Sequence, residues 1–152
     1  MKITIGMRGV DDLEEEMKFL LRTYRDRRKP MAEVKMIMLQ DVDRHFQREE
    51  GPDGKWAPLK VYEIKGNKVV SYRLKHGEAS KAKILQKTGR LRASQTGVSG
   101  NDGAEVGTNV VYGKQHQNGD PSKNLPQRVF LWLSDEAQVR ILDRLNYYFW
   151  RQ

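Results

Sequence analysis

The chain has 152 residues, 28 of them basic and 20 acidic, a net charge of +8 and no cysteine. That length fits one domain with a real core, and the missing cysteines exclude a disulfide framework or a thiolate metal site. No stretch approaches the roughly 18 apolar residues of a membrane span, and Met1–Gly6 lacks a signal-peptide run, so a soluble protein is expected.

The charge is unevenly placed. Residues 51–100 hold eleven basic residues against Asp53, Glu63 and Glu78, which accounts for the whole excess. A localised basic face suits phosphate or an acidic protein surface. A solvated, lysine-rich loop accounts for the same composition.

Residues 2–7 alternate and read as a short strand. Val10, Leu13, Met17, Leu20, Leu21 and Tyr24 then fall on one face at helical spacing. Acidic residues from Asp11 to Glu16 open this predicted helix and Arg25 to Lys29 close it, in the order that suits the helix dipole. Pro30 is expected to stop it. A second helix is predicted over Met31–Arg48, with Val34, Met38, Val42, His45 and Phe46 as its apolar stripe and His45 in a structural place.

Residues 49–59 read as a loop carrying Trp56, which either folds onto the core or anchors a neighbour. Val61 to Leu74 suggests a basic hairpin turning at Lys65-Gly66-Asn67-Lys68. A short helix is expected near Ser80–Lys87, ended by Gly89. Leu91–Ser99 and Gly103–Thr108 read as paired strands joined by Gly100-Asn101-Asp102-Gly103. A short helix or turn over Val110–Gln117 and an apolar strand over Arg128–Leu133 follow. Ser134 then caps a closing helix, with Asp135 and Glu136 in its first turn and Ile141, Leu142, Leu145, Tyr148 and Phe149 on one face. The expected fold is one α+β domain over 1–152. It has a small, mainly antiparallel sheet packed by two N-terminal helices and one C-terminal helix, with a basic hairpin insertion near 60–76.

The search for chemistry returns no active site. Gly107 and Gly113-Lys114 are spaced wrongly for a phosphate loop, and Gln115 stands where a Ser or Thr should bind magnesium. His45, His76 and His116 lack metal-ligand spacing. No Gly-x-Ser-x-Gly elbow is present. Neither enzymatic activity nor a metal or cofactor is expected. Nucleic acid is the alternative: Lys60, Lys65, Lys68, Arg73 and Lys75 interleave with Tyr62 and Tyr72, as a stacking and phosphate surface would.

Several small motifs stand in order along the chain. They are Gly54-Lys55-Trp56-Ala57-Pro58-Leu59, Ile84-Leu85-Gln86-Lys87-Thr88-Gly89-Arg90-Leu91, Val106-Gly107-Thr108-Asn109, Tyr112 through His116-Gln117 to Gly119, and Pro126-Gln127-Arg128-Val129-Phe130-Leu131. Their order and spacing resemble the phage virion morphogenesis (tail completion) family of Mu-like phages and prophages. The motif positions are Gly54, Trp56, Pro58, Leu59, Thr88, Gly89, Leu91, Tyr112, His116, Gln117, Gly119, Arg128 and Phe130. Gly113, Gln127 and Trp132 depart from the family pattern.

The resemblance implies a non-enzymatic structural protein of the virion tail or neck, assembled in the bacterial host cytoplasm. It would complete the tail or join it to the head, with self-association into a ring. Implied partners are the tail tube or tail terminator and head–tail connector proteins, with non-specific contact to genomic DNA and no membrane. Interface candidates are Trp56, Leu59, Tyr147 and Trp150. The DNA- or partner-facing candidates are the five basic residues from Lys60 to Lys75 named above. His116 and Gln117 are expected to fix the turn before Gly119 by hydrogen bonding.

Overall fold

The computed structural model of the chain describes residues 26–59, 62–65, 68–71 and 83–150. The strand expected at residues 2–7 and the helix expected over 10–24 lie outside the described residues. Helix α1 (Arg28–Arg48) starts earlier than the sequence suggested. Pro30 lies within its first turn and is buried there. A proline is tolerated at that place because the first N–H groups of a helix have no intrahelical acceptor. Pro30 therefore belongs to the beginning of this helix. Asp26 accepts the Arg28 amide at 3.2 Å. At the other end Glu49 adopts left-handed geometry (φ 54°) and donates its amide to the His45 carbonyl.

The expected loop 49–59 contains a tight antiparallel pair, β1 (Glu50–Gly51) and β2 (Gly54–Lys55). Strands β3 (Tyr62–Lys65) and β4 (Lys68–Ser71) form the predicted basic hairpin, with Lys65 opposite Lys68. The third pair is β5 (Gln95–Ser99) with β6 (Ala104–Thr108), closed by a Gly100 amide to Gly103 carbonyl bond of 2.9 Å. The α+β class and antiparallel pairing are as expected, but the sheet is divided into three two-stranded ladders among the described residues.

Two boundaries differ from expectation around Gly89. Residues 83–89 are not helical. Gly89, at φ 70°, instead precedes a short helix, α2 (Arg90–Ala93). Leu91 thus leads a helical turn rather than a strand. Ser94 Oγ and Gln95 Nε2 both donate to its carbonyl, at 2.8 Å each, so the turn closes before β5 begins. Helix α3 (Gly113–Asn118) follows, then a 3-10 turn at Pro121–Lys123 capped by the Asp120 side chain.

Ser134 caps the closing helix α4 (Asp135–Trp150), accepting the Ala137 amide at 3.2 Å. Helix α4 runs antiparallel to α1. Arg44 meets Glu136, Arg140 meets Gln40, and Arg144 and Tyr148 meet Glu33.

One core cluster joins Met31, Val34, Ile37 and Met38 of α1 to Leu133, Ala137, Ile141 and Leu145. A second gathers Val42, Phe46, Trp56, Ile84, Leu91, Val110, Phe130 and Leu131. Val106 packs against both. No helix among the described residues is long and apolar enough to cross a membrane.

Candidate functional site

The motif residues converge on residues 126–134. This segment was expected to supply a strand, but it joins no ladder. Buried main-chain groups still need partners, and here side chains supply many of them. Gln117 is 4 % exposed. Its Oε1 accepts the Phe130 amide at 2.9 Å and the Leu131 amide at 3.0 Å. Its Nε2 donates to the Leu131 carbonyl at 2.9 Å. One amide side chain thus does the work of a neighbouring strand.

Trp56 donates its indole N–H to the Val129 carbonyl at 2.9 Å and packs edge-on against Phe46. His45 Nδ1 lies 3.0 Å from the Phe130 carbonyl. Because a carbonyl only accepts, this nitrogen carries a proton. Arg128 donates its own amide to the His116 carbonyl at 2.7 Å. Its guanidinium reaches back to the carbonyls of Ala57 and Pro58 at 3.0 and 3.2 Å. Burial draws the Arg128 guanidinium below the ordinary arginine range.

Asp41 completes the arrangement from α1. Its carboxylate accepts the Ser134 amide at 2.9 Å and the Ser134 hydroxyl at 2.6 Å. Burial raises its pKa, but His45 and the two Ser134 donors outweigh that and hold it below the usual carboxylate range. Asp41, His45 and Ser134 include the residue types of a nucleophilic triad, but not its geometry. The hydroxyl donates to the carboxylate, so the imidazole is not placed to take its proton. Among the described residues, no group of three or more His, Cys, Asp or Glu side chains could hold a metal ion.

The candidate interface residues divide. Trp56 is 6 % exposed and belongs to the core, so in the folded chain it is not a projecting anchor. Leu59 is partly buried against the second cluster. Tyr147 is 51 % exposed. Trp150 ends α4, and its side chain lies outside the description. Of the basic candidates, Lys65 and Lys68 are partners in the β3–β4 register, while Lys60, Arg73 and Lys75 lie outside the described residues.

The remaining motif positions are mostly conformational. Gly54, Gly89 and Gly119 have φ of 111°, 70° and 74°, and Thr88 Oγ1 accepts the Arg90 amide at 3.4 Å. Pro58 supplies a carbonyl to Arg128, and Leu91 and Phe130 are core. Tyr112 meets the His116 ring edge-on. Of the two residues expected to fix the turn before Gly119, Gln117 acts through its side chain and His116 through its carbonyl. His116 Nδ1 has no hydrogen-bond partner among the described residues. Burial, then Arg128, lowers the pKa of this imidazole.

The profile of the phage virion morphogenesis family matches residues 9–149, nearly the whole chain. The chain belongs to the phage virion morphogenesis family. No curated protein and no solved structure matches it. In this phage assembly protein, the motif residues that carry the family pattern serve the framework. Trp56, Gln117 and Arg128 bind main-chain groups far away in sequence, and Gly54, Gly89 and Gly119 turn the chain between them.

Sequence reasoning did not find Asp41 as a member of this virion morphogenesis framework. The available signal was a carboxylate between Met38 and Val42, inside the apolar stripe of α1. It also missed Gln86, which donates to the Phe46 carbonyl at 2.7 Å, and Arg92, which grips Asp43 through two bonds of 2.6 and 2.9 Å.

Proposed function

We propose that the protein is a non-enzymatic structural component that completes the phage tail or joins it to the head, acting as an oligomeric ring on the virion. The family match across residues 9–149 carries this reading. The use of the motif side chains supports it, since Gln117 and Arg128 spend their polar groups on main-chain atoms. A ring subunit presents two different lateral surfaces that must keep a fixed relation for the ring to close. A framework that ties α1, α3 and residues 56–58 to residues 128–134 provides that rigidity. The neighbours in this reading are the tail tube or tail terminator and the head–tail connector.

The basic hairpin favours a second role within the same reading. The register places Lys65 opposite Lys68, inside the third of the chain that holds the whole charge excess. This hairpin docks on an acidic connector surface or lines the DNA passage. The competing view is a nucleic-acid-binding module without catalysis. Salt separates the two poorly when a neck protein also touches DNA, so assembly is the better readout. The purified protein is added to a lysate of a phage lacking its gene, which contains separate heads and tails. A rise in infectious titre upholds the joining role; an unchanged titre, with DNA binding that collapses as salt rises, favours the module.

A further inference from the structure

A cleft of about 470 Å³ lies between the C-terminal half of α1 and the start of α4. The two arginines on its walls are already paired, Arg44 with Glu136 and Arg48 with Glu50. Two further carboxylates line it: Asp41, buried beneath Ser134, and Asp135, which has no ion-pair partner among the described residues. Two buried nitrogens on the same walls lack a hydrogen-bond partner, His45 Nε2 and Trp132 Nε1. Their rings stack with centroids 4.4 Å apart. His45 Nδ1 is committed to the Phe130 carbonyl. In the neutral ring Nε2 is therefore an acceptor, and it stands 3.5 Å from an Asp41 oxygen. The Trp132 indole only donates. The cleft thus offers acceptors and negative charge to a cation, and one N–H to a carbonyl. A lysine or arginine within a polypeptide segment carries both complements. A bare metal ion carries only the first.

The chain presents such a segment. Lys83, Lys87 and Arg90 are exposed, and none of them forms an ion pair among the described residues. Three bonds hold this stretch against α1. The Ile84 amide donates to Glu49 at 2.6 Å, Gln86 to the Phe46 carbonyl at 2.7 Å, and Arg92 to Asp43 at 2.6 Å. Asp43 follows Asp41 by two residues, about 200° of helical turn. The basic segment is therefore held on the far side of α1 from the cleft of its own chain. The cleft it is free to enter is that of another copy.

We propose that the α1–α4 cleft receives residues 83–90 of a second copy of this chain, with a basic side chain meeting Asp41, His45 and Asp135. The two surfaces differ and stand on opposite sides of α1. The contact is heterologous, of the kind that closes into a ring. This deepens the ring reading given above and rests on it.

The test uses a phage lacking the gene, complemented with full-length variants. Asp135→Lys alone, and Lys87→Glu with Arg90→Glu, should each lower the titre at least about tenfold by placing like charges at the contact. All three changes together should restore it. Unchanged titres with both reversals overturn the proposal. A cysteine pair keeps every charge and so reads the contact even where a reversal disturbs folding. The chain has no native cysteine, and Thr88→Cys with Gln138→Cys places one thiol at each surface. A short bismaleimide applied to purified particles should give a ladder of linked copies from the double variant and none from either single variant. The chain present on particles without a ladder overturns the docking and leaves the ring reading standing. Links to a different virion protein overturn it in favour of a basic segment on that partner. Absence of the chain from particles removes the ring reading and the docking together.

Discussion

Gln117 shows how this protein uses a polar side chain. An amide is a donor and an acceptor at once, so a single residue can serve both the N–H and the C=O groups of a passing segment. Here it meets two main-chain amides and one carbonyl in a buried place. Gln117→Leu keeps the approximate size but leaves those three groups without partners. We expect a loss of about 2–5 kcal/mol in urea unfolding, from several unsatisfied buried groups at about 1–3 kcal/mol each. A loss within about 0.5 kcal/mol, as for an ordinary surface change, would show that Gln117 does not hold the segment. Asp41 gives a pH signature. Its folded carboxyl titrates below the usual 3.8, so the unfolded chain binds its proton more readily. The group therefore stabilises the fold above pH 3.8, and that contribution disappears as pH falls through its lower folded value. Asp41→Asn should lower stability at neutral pH and shallow the acid limb of the stability profile. An acid limb with the parent's slope would contradict this. The pattern of apolar spacing made His45 readable as structural, but it had no means of showing which main-chain group it meets, because its partner Phe130 is 85 residues away.

At the element scale, the clearest departure is the segment Arg128–Leu133. Its composition is that of a strand, and its backbone is held in place, yet its partners are side chains from α1, α3 and the loop at 56. Periodicity reports which residues face the core, not what satisfies the backbone, so the ladder was inferred where a clamp stands. The hairpin at 100–103 was legible because its turn chemistry is local. Gly89 was legible as a special position, but not as the start of a helix rather than its end. Gly119 tests the argument. It sits at φ +74°, and a Cβ there would meet Gln127 N at 3.0 Å and Gln127 Cα at 3.2 Å. Gly119→Ala should cost about 1–3 kcal/mol, from its backbone conformation alone. Gly100→Ala is the matched control. Nothing lies within 4 Å of its Cβ position and its φ is not in the glycine-favouring range, so a change within about 0.5 kcal/mol is expected. Equal thermal midpoints for the two variants would refute the strained-turn account.

At the scale of the whole molecule, the α+β class was legible from the run of helices followed by hairpins, and the family from the order of small motifs, because residues such as Trp56, Gln117 and Arg128 must coexist for the framework to close. What the framework serves was not legible in the same way, since contacts between chains leave no periodic trace in a sequence. The charge pattern offers one handle. Reversing Lys65, Lys68 and Lys75 to Glu changes the charge by six units in the basic third and touches no residue of the framework. We expect infectious titre to fall at least about tenfold while the thermal midpoint stays within the range of surface substitutions. A normal titre would remove the hairpin from head or DNA contact. The most direct test of the central claim is electron microscopy of a lysate from an inducible phage whose copy of this gene has been deleted. The account predicts DNA-filled heads beside unjoined or malformed tails, with whole particles restored when the protein is supplied in trans. Normal, infectious particles without it would contradict the account.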